Sequence, residues 1–174
     1  MRGDVSADPA DPGINHVLAT AAKRDIPVNL LCWGRLDQVH ELARRNPDTR
    51  LVIDHLGLQQ PFELPRLETP FADLPKLLAL AAFPNIVVKI TGACTLSREE
   101  YPYGDIWDPL ARIFDAFGLQ RCLWGTDWTR AVELMTYAEG VEAFLRSDRL
   151  SDSDRAMLMG ESTQRAYRWT PGGA

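Results

Sequence analysis

The chain has 174 residues, 45% of them hydrophobic, which is typical of one globular domain. Its formal net charge of −5 argues against a nucleic-acid partner, because binding to phosphate backbones requires a basic surface. No apolar run approaches the roughly 20 residues that a membrane helix needs, and no signal peptide opens the chain. We therefore expect a cytoplasmic protein without a membrane partner.

Residues 1–13 are polar and rich in proline, so we expect a flexible N-terminal segment there, followed by one domain over residues 14–174. The three cysteines, Cys32, Cys94 and Cys122, are odd in number and lack the spacing of metal ligands. Each lies in or just after an apolar run. We interpret them as buried hydrophobic residues in a reducing compartment.

Helix and strand patterns alternate along the rest of the chain. Asp11 is a predicted N-cap, with Pro12 at the first position of a helix that extends to about Arg24. The pattern then predicts strands at 27–32, 51–54, 86–91 and from 121, with helices at 36–45, 74–82 and 105–117 and a largely helical region at 131–169.

Two architectures fit this order of one helix and four βα units. One is a small doubly wound parallel sheet, and the other is half of a (β/α)8 TIM barrel, a fold that takes about 250 residues. The loops after the second and third strands (58–70 and 92–104) are long and the returning loops are short, as in a barrel with its active face at the carboxyl ends of the strands. No glycine-rich phosphate loop opens a helix, which weakens nucleotide-binding versions of the open sheet. We therefore predict an α/β fold, a partial TIM barrel of about four parallel βα units.

Two of the strands end in side chains that could carry chemistry. His55 could act as a general acid or base, bind a metal, or close the strand end with a hydrogen bond. Asp127 could act on a ligand or cap the next helix, although we place that helix near Ala131, where Thr129 could supply the N-cap instead. Because parallel strands deliver both side chains to the same edge, they predict a hydrolytic site.

Four further residues are candidates for substrate contact or for structure. Lys89 is a charge inside a β-branched strand; inside a barrel it must pair with an acid or meet an anionic substrate, whereas on an edge strand it could reach water. Asp54 faces the side of its strand opposite to His55, so we expect it to brace a helix or loop. Trp33 and Trp128, at strand exits, could line an apolar substrate pocket or plug the core.

Metal ligands are few in this chain. A catalytic zinc normally has three protein ligands, and the sequence has three histidines in total with no His-x-His pair. Asp127 and His55 would be ligands only if a metal were bound with further ligands from outside this chain. The residues alone therefore predict no resident cofactor.

Three segments, in this order and at this spacing, resemble the later strands of the amidohydrolase-2 family: 51–57 (LVIDHLG), 85–92 (NIVVKITG) and 123–128 (LWGTDW). The family comprises TIM-barrel hydrolases and decarboxylases, among them aminocarboxymuconate-semialdehyde decarboxylase and several lactonases. The resemblance implies strands five to eight of a distorted barrel, with His55 on the sixth and Asp127 on the eighth. It also implies that the aspartate is a metal ligand or a base for water, and that the histidine polarises or protonates the substrate.

The chain departs from the family pattern at the metal site. The His-x-His pair of the family's first strand is missing, and residues 31–34 (LCWG) stand where metal-dependent members carry another histidine. Thr129 replaces the family's usual proline. The resemblance therefore implies the second half of a barrel, either truncated, or completed by a first half supplied elsewhere, or paired with a second copy of itself. A divalent metal, zinc or manganese, is expected in full-length relatives.

These observations predict an amidohydrolase-type enzyme that cleaves a lactone, or a related carboxylic ester or amide, of a small molecule. Asp127 would activate water and His55 would assist at the carbonyl or leaving oxygen, while Lys89, Trp33 and Trp128 would contact the substrate. One alternative is a metal-dependent decarboxylase of the same superfamily. The other is an inactive fragment or a self-associating half-barrel.

Arginines that select carboxylate substrates would come from the exit loops. The chain offers Arg66, Arg98 and Arg130, and we interpret each as a surface charge rather than a substrate clamp.

Overall fold

One sheet of four parallel strands forms the centre of the fold. The computed structural model describes residues 8–170 and residue 172. The strands pair in chain order and are β1 (Val28–Leu30), β2 (Leu51–Ile53), β3 (Ile86–Thr91) and β4 (Cys122–Gly125). A doubly wound sheet reverses its strand order at a switch point, whereas each strand of a TIM barrel lies beside the preceding one. The observed order confirms the predicted partial barrel and excludes the doubly wound alternative.

Helices connect and follow the strands within the described ranges. They are α1 (Pro12–Lys23), α2 (Leu36–Arg45), α3 (Leu74–Ala79), α4 (Trp107–Phe117), α5 (Trp128–Ala131), α6 (Tyr137–Leu145), α7 (Asp152–Ala156) and α8 (Ser162–Tyr167). The helix predicted over 74–82 is α-helical only to Ala79 and continues as a 3-10 turn to Ala82. None of the helices in this part of the chain combines the length and apolar character that crossing a bilayer would require.

Side chains alternate across the sheet and divide its core into two parts. One set packs against the helices in the main hydrophobic core; on the strands it comprises Leu51, Ile53, Ile86, Val88, Ile90 and Cys122. On the other face, which we call the inner face, Val52, Val87 and Leu123 form a second cluster with Ala166 of α8. Because both faces are covered there, β2 and the first half of β3 read as continuous apolar runs in the sequence rather than as an alternating pattern.

The helix α8 is fixed across the inner face by polar contacts at its end. The Ala166 carbonyl accepts a hydrogen bond from Arg50 Nη1 at 2.7 Å, and the Tyr167 hydroxyl donates to Asn29 Oδ1 at 2.8 Å. Asn29 belongs to β1 and Arg50 directly precedes β2. The helix therefore covers a part of the face that a closed barrel would hold in its interior.

The ends of two helices test the predicted boundaries. The Asp11 side chain caps α1 as predicted, accepting from the Ile14 backbone N–H at 3.0 Å. The helix after β4 begins at Trp128, so the predicted start near Ala131 is wrong. The reason is the left-handed backbone of Asp127 (φ 53°, ψ 40°), which turns the chain from strand to helix within two residues. Residues 1–7 of the predicted flexible segment 1–13 lie outside the described residues.

The cysteines are buried and free, which confirms their interpretation as small hydrophobic residues. Burial raises the pKa of each of the three thiols to about 12. Because the thiolate is the nucleophilic form, none of them serves as a nucleophile near neutral pH.

The inner-face packing of α8 predicts that Ala166→Asp destabilises the fold by about 2 kcal/mol or more, because it places a carboxylate against three apolar side chains. Ala138→Asp, at an exposed position of α6, is the matched control and should change the free energy of unfolding by less than about 0.5 kcal/mol. Urea denaturation of both variants measures the difference. Equal unfolding midpoints would show that α8 does not pack there.

Candidate functional site

The carboxyl ends of β2, β3 and β4 meet at one edge of the sheet and carry a cluster of polar side chains. His55 follows β2, Thr91 ends β3 and Asp127 follows β4. His55 and Asp127 both adopt left-handed backbone conformations, with φ of 52° and 53°, which residues other than glycine rarely do. Such a conformation persists only where the surrounding structure holds it.

His55 and Asp127 are in direct contact. The distance from His55 Nδ1 to Asp127 Oδ2 is 3.2 Å, and the Thr91 hydroxyl lies 2.8 Å from the same ring nitrogen. Asp127 stands at the N-cap position of α5, but its carboxylate makes no capping hydrogen bond within the described chain. The side chain is therefore not used as a helix cap and contacts the site instead, and the catalytic role of the pair stays a prediction.

Arg130 is buried in this cluster, and its interpretation as a surface charge is wrong, since only 9% of the residue is exposed. Its Nε donates to Asp127 Oδ2 at 2.5 Å and its Nη1 to the Pro61 carbonyl at 2.5 Å. Its Nη2 donates to Gln60 Oε1 and, at 3.3 Å, to Thr95 Oγ1. The burial arises because α5 begins directly after Asp127, which brings the arginine three residues later onto the same side of the helix.

Two neighbours shape the space that holds this guanidinium. Gln60 Nε2 donates to the Thr91 carbonyl at 3.1 Å and to the His55 carbonyl at 3.3 Å, so its Oε1 is turned toward Arg130. Gly92 has φ 69°, and a Cβ at that position would collide with Arg130 Nη2 and Gln60 Oε1. A side chain at position 92 would therefore force the guanidinium and the Gln60 amide to move from their observed positions.

Lys89 and Asp54 form an ion pair on the inner face of the sheet. Lys89 Nζ lies 2.9 Å from Asp54 Oδ1, which also accepts from Asn29 Nδ2 at 3.1 Å. The expectation that Asp54 braces a helix or loop is therefore wrong. Val52 of β2 is paired with Val87 of β3, and side chains two residues apart on a strand face the same side, so Asp54 and Lys89 meet. Burial disfavours the Lys89 ammonium, but the hydrogen bond and charge of Asp54, together with Tyr167, outweigh it and raise the pKa of Lys89.

Trp33 lies beside His55, with 6.0 Å between the ring centroids, and packs against Phe62 at 6.1 Å. The guanidinium carbon of Arg130 lies 5.6 Å from the Phe62 ring centroid. Trp128 instead packs edge-on against Tyr137 of α6, at 5.9 Å. Of the two tryptophans predicted to line a pocket, Trp33 is thus the one that lies against the histidine.

The side chains present do not make a metal site on their own. Among the described residues, no group of three or more histidine, cysteine, aspartate or glutamate side chains is placed to hold an ion. Asp127 Oδ2 is already shared by the Arg130 guanidinium and His55. A catalytic zinc normally takes three protein ligands, so these two residues would need ligands from outside this chain.

Burial lowers the pKa of His55 below its ordinary value of 6.5. The carboxylates of Asp127 and Asp54 oppose this shift, while the positive charges of Arg130 and Lys89 act in the same direction as burial. Burial therefore favours the neutral imidazole, the form that can accept a proton from a ligand.

Sequence reasoning did not assign Gln60 and Thr91 to the site and gave Arg130 the wrong environment. One signal was available for the arginine, since its spacing of three residues from Asp127 permits an ion pair on a helix. Using this signal requires a helix that starts at Trp128, but the predicted start, near Ala131, lies three residues too late. For Gln60 and Thr91 no local pattern exists, because their contacts depend on how the two exit loops fold over the strands.

The other two loop arginines lie outside this cluster. Arg66 Nη1 donates to the Ser97 carbonyl at 2.5 Å, and Arg98 Nη1 donates to the Glu68 carbonyl at 3.5 Å. Both contacts join the loop after β2 to the loop after β3. These arginines therefore brace the two loops against each other.

Comparisons with known proteins show which family the chain resembles. A family model described as amidohydrolase matches residues 2–169. L-fucono-1,5-lactonase of Burkholderia multivorans is 31% identical over 173 residues, and 4-sulfomuconolactone hydrolase of Hydrogenophaga intermedia is 36% identical over 92 residues. The crystal structure of an amidohydrolase from Burkholderia multivorans with bound zinc superimposes with a TM-score of 0.79 at 27% identity.

The chain is shorter than these relatives. The match to the fuconolactonase covers 94% of this chain but 58% of the relative, and the match to the sulfomuconolactone hydrolase covers 52% and 29%. The superposition on the zinc-containing amidohydrolase covers 93% of this chain and 59% of the other. The chain therefore spans less than two thirds of the length of the proteins it resembles.

The charges around His55 predict that Asp127→Asn lowers the pKa of this imidazole further, because the variant removes the largest contribution that favours the charged form. Titration by NMR measures it, with the resonance assigned by its loss in His55→Gln. Asp115→Asn, at an exposed position of α4, is the control and should leave the His55 resonance unchanged. A His55 pKa above 6.5 in the parent chain would contradict the dominance of burial.

Proposed function

The chain belongs to the amidohydrolase family, and on that premise we propose that it provides the water-activating half of a site that hydrolyses a lactone, or a related ester or amide, of a small molecule. The observation that carries the proposal is the 3.2 Å contact between His55 and Asp127 at the carboxyl ends of parallel strands. Two of the relatives are named for lactone hydrolysis, which supports this substrate class.

In this proposal Asp127 accepts the proton of the attacking water through Oδ1. Oδ2 is bound by Arg130 and His55, whereas no hydrogen bond from the described residues reaches Oδ1. As the water oxygen bonds to the lactone carbonyl carbon, its proton passes to the carboxylate. When the ring C–O bond then breaks, the same proton passes to the leaving oxygen, which restores the carboxylate.

His55 assists through Nε2, which has no partner within the described residues. If the Thr91 hydroxyl donates to Nδ1, the ring proton lies on Nε2 and donates a hydrogen bond to the carbonyl oxygen as negative charge develops there. The contact of Nδ1 with Asp127 favours a second arrangement, in which Nδ1 donates to the carboxylate and Nε2 becomes the base. Loss of far more activity in His55→Gln than in Asp127→Asn would favour this second arrangement.

Trp33, Phe62 and Lys89 would line the substrate side of the site. Phe62 is 59% exposed and presents an apolar ring beside Trp33, which itself lies next to His55. Trp33 Nε1 is buried without a hydrogen-bond partner among the described residues, and such a donor is costly unless a ligand oxygen or a group from outside the chain satisfies it. Lys89 would contribute positive charge on the inner face, partly neutralised by Asp54. Trp128 would contribute to the substrate side indirectly, by packing against Tyr137 of α6.

A metal-dependent decarboxylase is the alternative within the family. It would need zinc or manganese held by ligands that this chain does not carry. Activity that requires an added metal and is lost with a chelator would favour the decarboxylase, whereas lactone hydrolysis that is unchanged by a chelator would favour the hydrolase.

We also propose that the chain associates, either with a second copy or with a first half of the barrel. Among the described strands, β1 pairs only with β2, so its other edge offers unpaired backbone groups. A groove of about 650 Å³ opens there between α1 and α2, and its lining includes Ile14, Val17 and Leu31. Leu31 is 66% exposed. An inactive fragment would share these features, so only a measured turnover of substrate distinguishes an active enzyme from such a fragment.

The catalytic proposal predicts that Asp127→Asn lowers the rate of lactone hydrolysis by about 10²–10⁴-fold, because the amide cannot accept the water proton. Proton release from L-fucono-1,5-lactone and other small lactones, followed with a pH indicator, measures the rate. Asp115→Asn serves as the control with unchanged activity. Full activity of Asp127→Asn would exclude the aspartate as the base.

The association proposal predicts a dimer or larger species in sedimentation velocity. Leu31→Glu should shift the distribution toward monomer, because it places a charge in the apolar groove. Leu145→Glu, at an exposed position of α6, is the control. A stable compact monomer of the parent chain at micromolar concentration would contradict self-association.

A further inference from the structure

We propose that Arg130 is a positioning residue for Asp127, which holds one carboxylate oxygen so that the other faces the substrate. This inference rests on the proposed function, since it assigns Oδ1 the task of accepting the water proton. Its structural basis is the 2.5 Å hydrogen bond from Arg130 Nε to Asp127 Oδ2. That bond fixes the rotation of the carboxylate about its Cβ–Cγ bond.

The hydrogen bonds of Arg130 argue against the role of a substrate clamp. All three guanidinium nitrogens donate to protein oxygens, two of them on Gln60 and Pro61 in the loop after β2. The side chain is 7% exposed. A clamp for a substrate carboxylate needs a free pair of donors, and this guanidinium has no such pair to offer.

Arg130 also connects the aspartate to both exit loops. Through Gln60 and Pro61 it is bound to the loop after β2, and through Thr95 to the loop after β3. Gln60 in turn binds the carbonyl of His55. The same guanidinium therefore sets the position of Asp127 relative to the backbone that carries the histidine.

A purely structural brace would not need an arginine aimed at the reacting carboxylate. Arg66 braces the same loops through the Ser97 and Glu99 carbonyls and does not contact the site. The planar guanidinium of Arg130 supplies donors in fixed directions, which an ammonium group cannot reproduce. Orientation of Asp127 is therefore the property that should separate these two arginines.

The test compares Arg130→Lys and Arg130→Met with Arg66→Met in the full chain. We expect kcat for lactone hydrolysis to fall about 10-fold in Arg130→Lys and about 10²-fold in Arg130→Met, with KM changed by less than about threefold, because ground-state binding is retained while the base is misplaced. Arg66→Met should leave both constants near those of the parent. Gly92→Ala, which displaces the guanidinium without removing its charge, should resemble Arg130→Lys.

Two kinetic outcomes would overturn the inference. A higher KM with unchanged kcat in Arg130→Met would make Arg130 a substrate contact. An equal loss of kcat in Arg66→Met would reduce Arg130 to a brace of the loops. Because Arg130→Lys keeps the buried charge, it also covers the case in which Arg130→Met does not fold.

A spectroscopic readout separates this inference from the proposed function. If the parent chain turns over no lactone, the proposed function fails, but the ¹⁵N resonances of the His55 imidazole still report the position of Asp127. They should shift in Arg130→Lys and Gly92→Ala and stay unchanged in Arg66→Met. Unchanged His55 resonances in both site variants would overturn the positioning role.

Discussion

The buried ion pair between Arg130 and Asp127 is the interaction on which the geometry of the site depends. The guanidinium of an arginine that is only 9% exposed must be matched by acceptors, because a buried and unpaired charge is costly. The acceptors come from Asp127 and from two loops distant in sequence, at Gln60 and Thr95. The hydrogen bonds of this one guanidinium thus link the chain segments that follow β2, β3 and β4. The left-handed backbone of Asp127 persists within this arrangement.

The sheet explains why such a site exists in a chain of this length. Four parallel strands in sequential order have their carboxyl ends at one edge of the sheet, as in a TIM barrel. The chain superimposes on 59% of the zinc-containing amidohydrolase from Burkholderia multivorans. The inner face is covered in part by α8, while the outer edge of β1 pairs with nothing in the described chain. The fold therefore retains half of a barrel's rim together with the polar residues of that half.

Much of the fold was predictable because burial on both faces makes β2 and the first half of β3 uninterrupted apolar segments, and because the apolar residues of α2 recur with helical periodicity. His55 and Asp127 stood out because each lies two residues past the end of a strand, β2 for His55 and β4 for Asp127. The start of α5 was not predictable, as it depends on a left-handed aspartate that tertiary contacts hold in place. The burial of Arg130 was not predictable either, since two of its acceptors lie 69 and 70 residues away in the chain.

A double-mutant cycle on Asp127 and Arg130 tests the central claim independently of turnover. The free energy of unfolding is measured by urea denaturation for the parent, Asp127→Asn, Arg130→Met and the double variant. If the pair organises the site, Arg130→Met lowers the free energy of unfolding more in the parent than in the Asp127→Asn variant, with a coupling energy of about 1–3 kcal/mol. Effects that add within about 0.5 kcal/mol would show that the two residues do not depend on each other and would contradict the account.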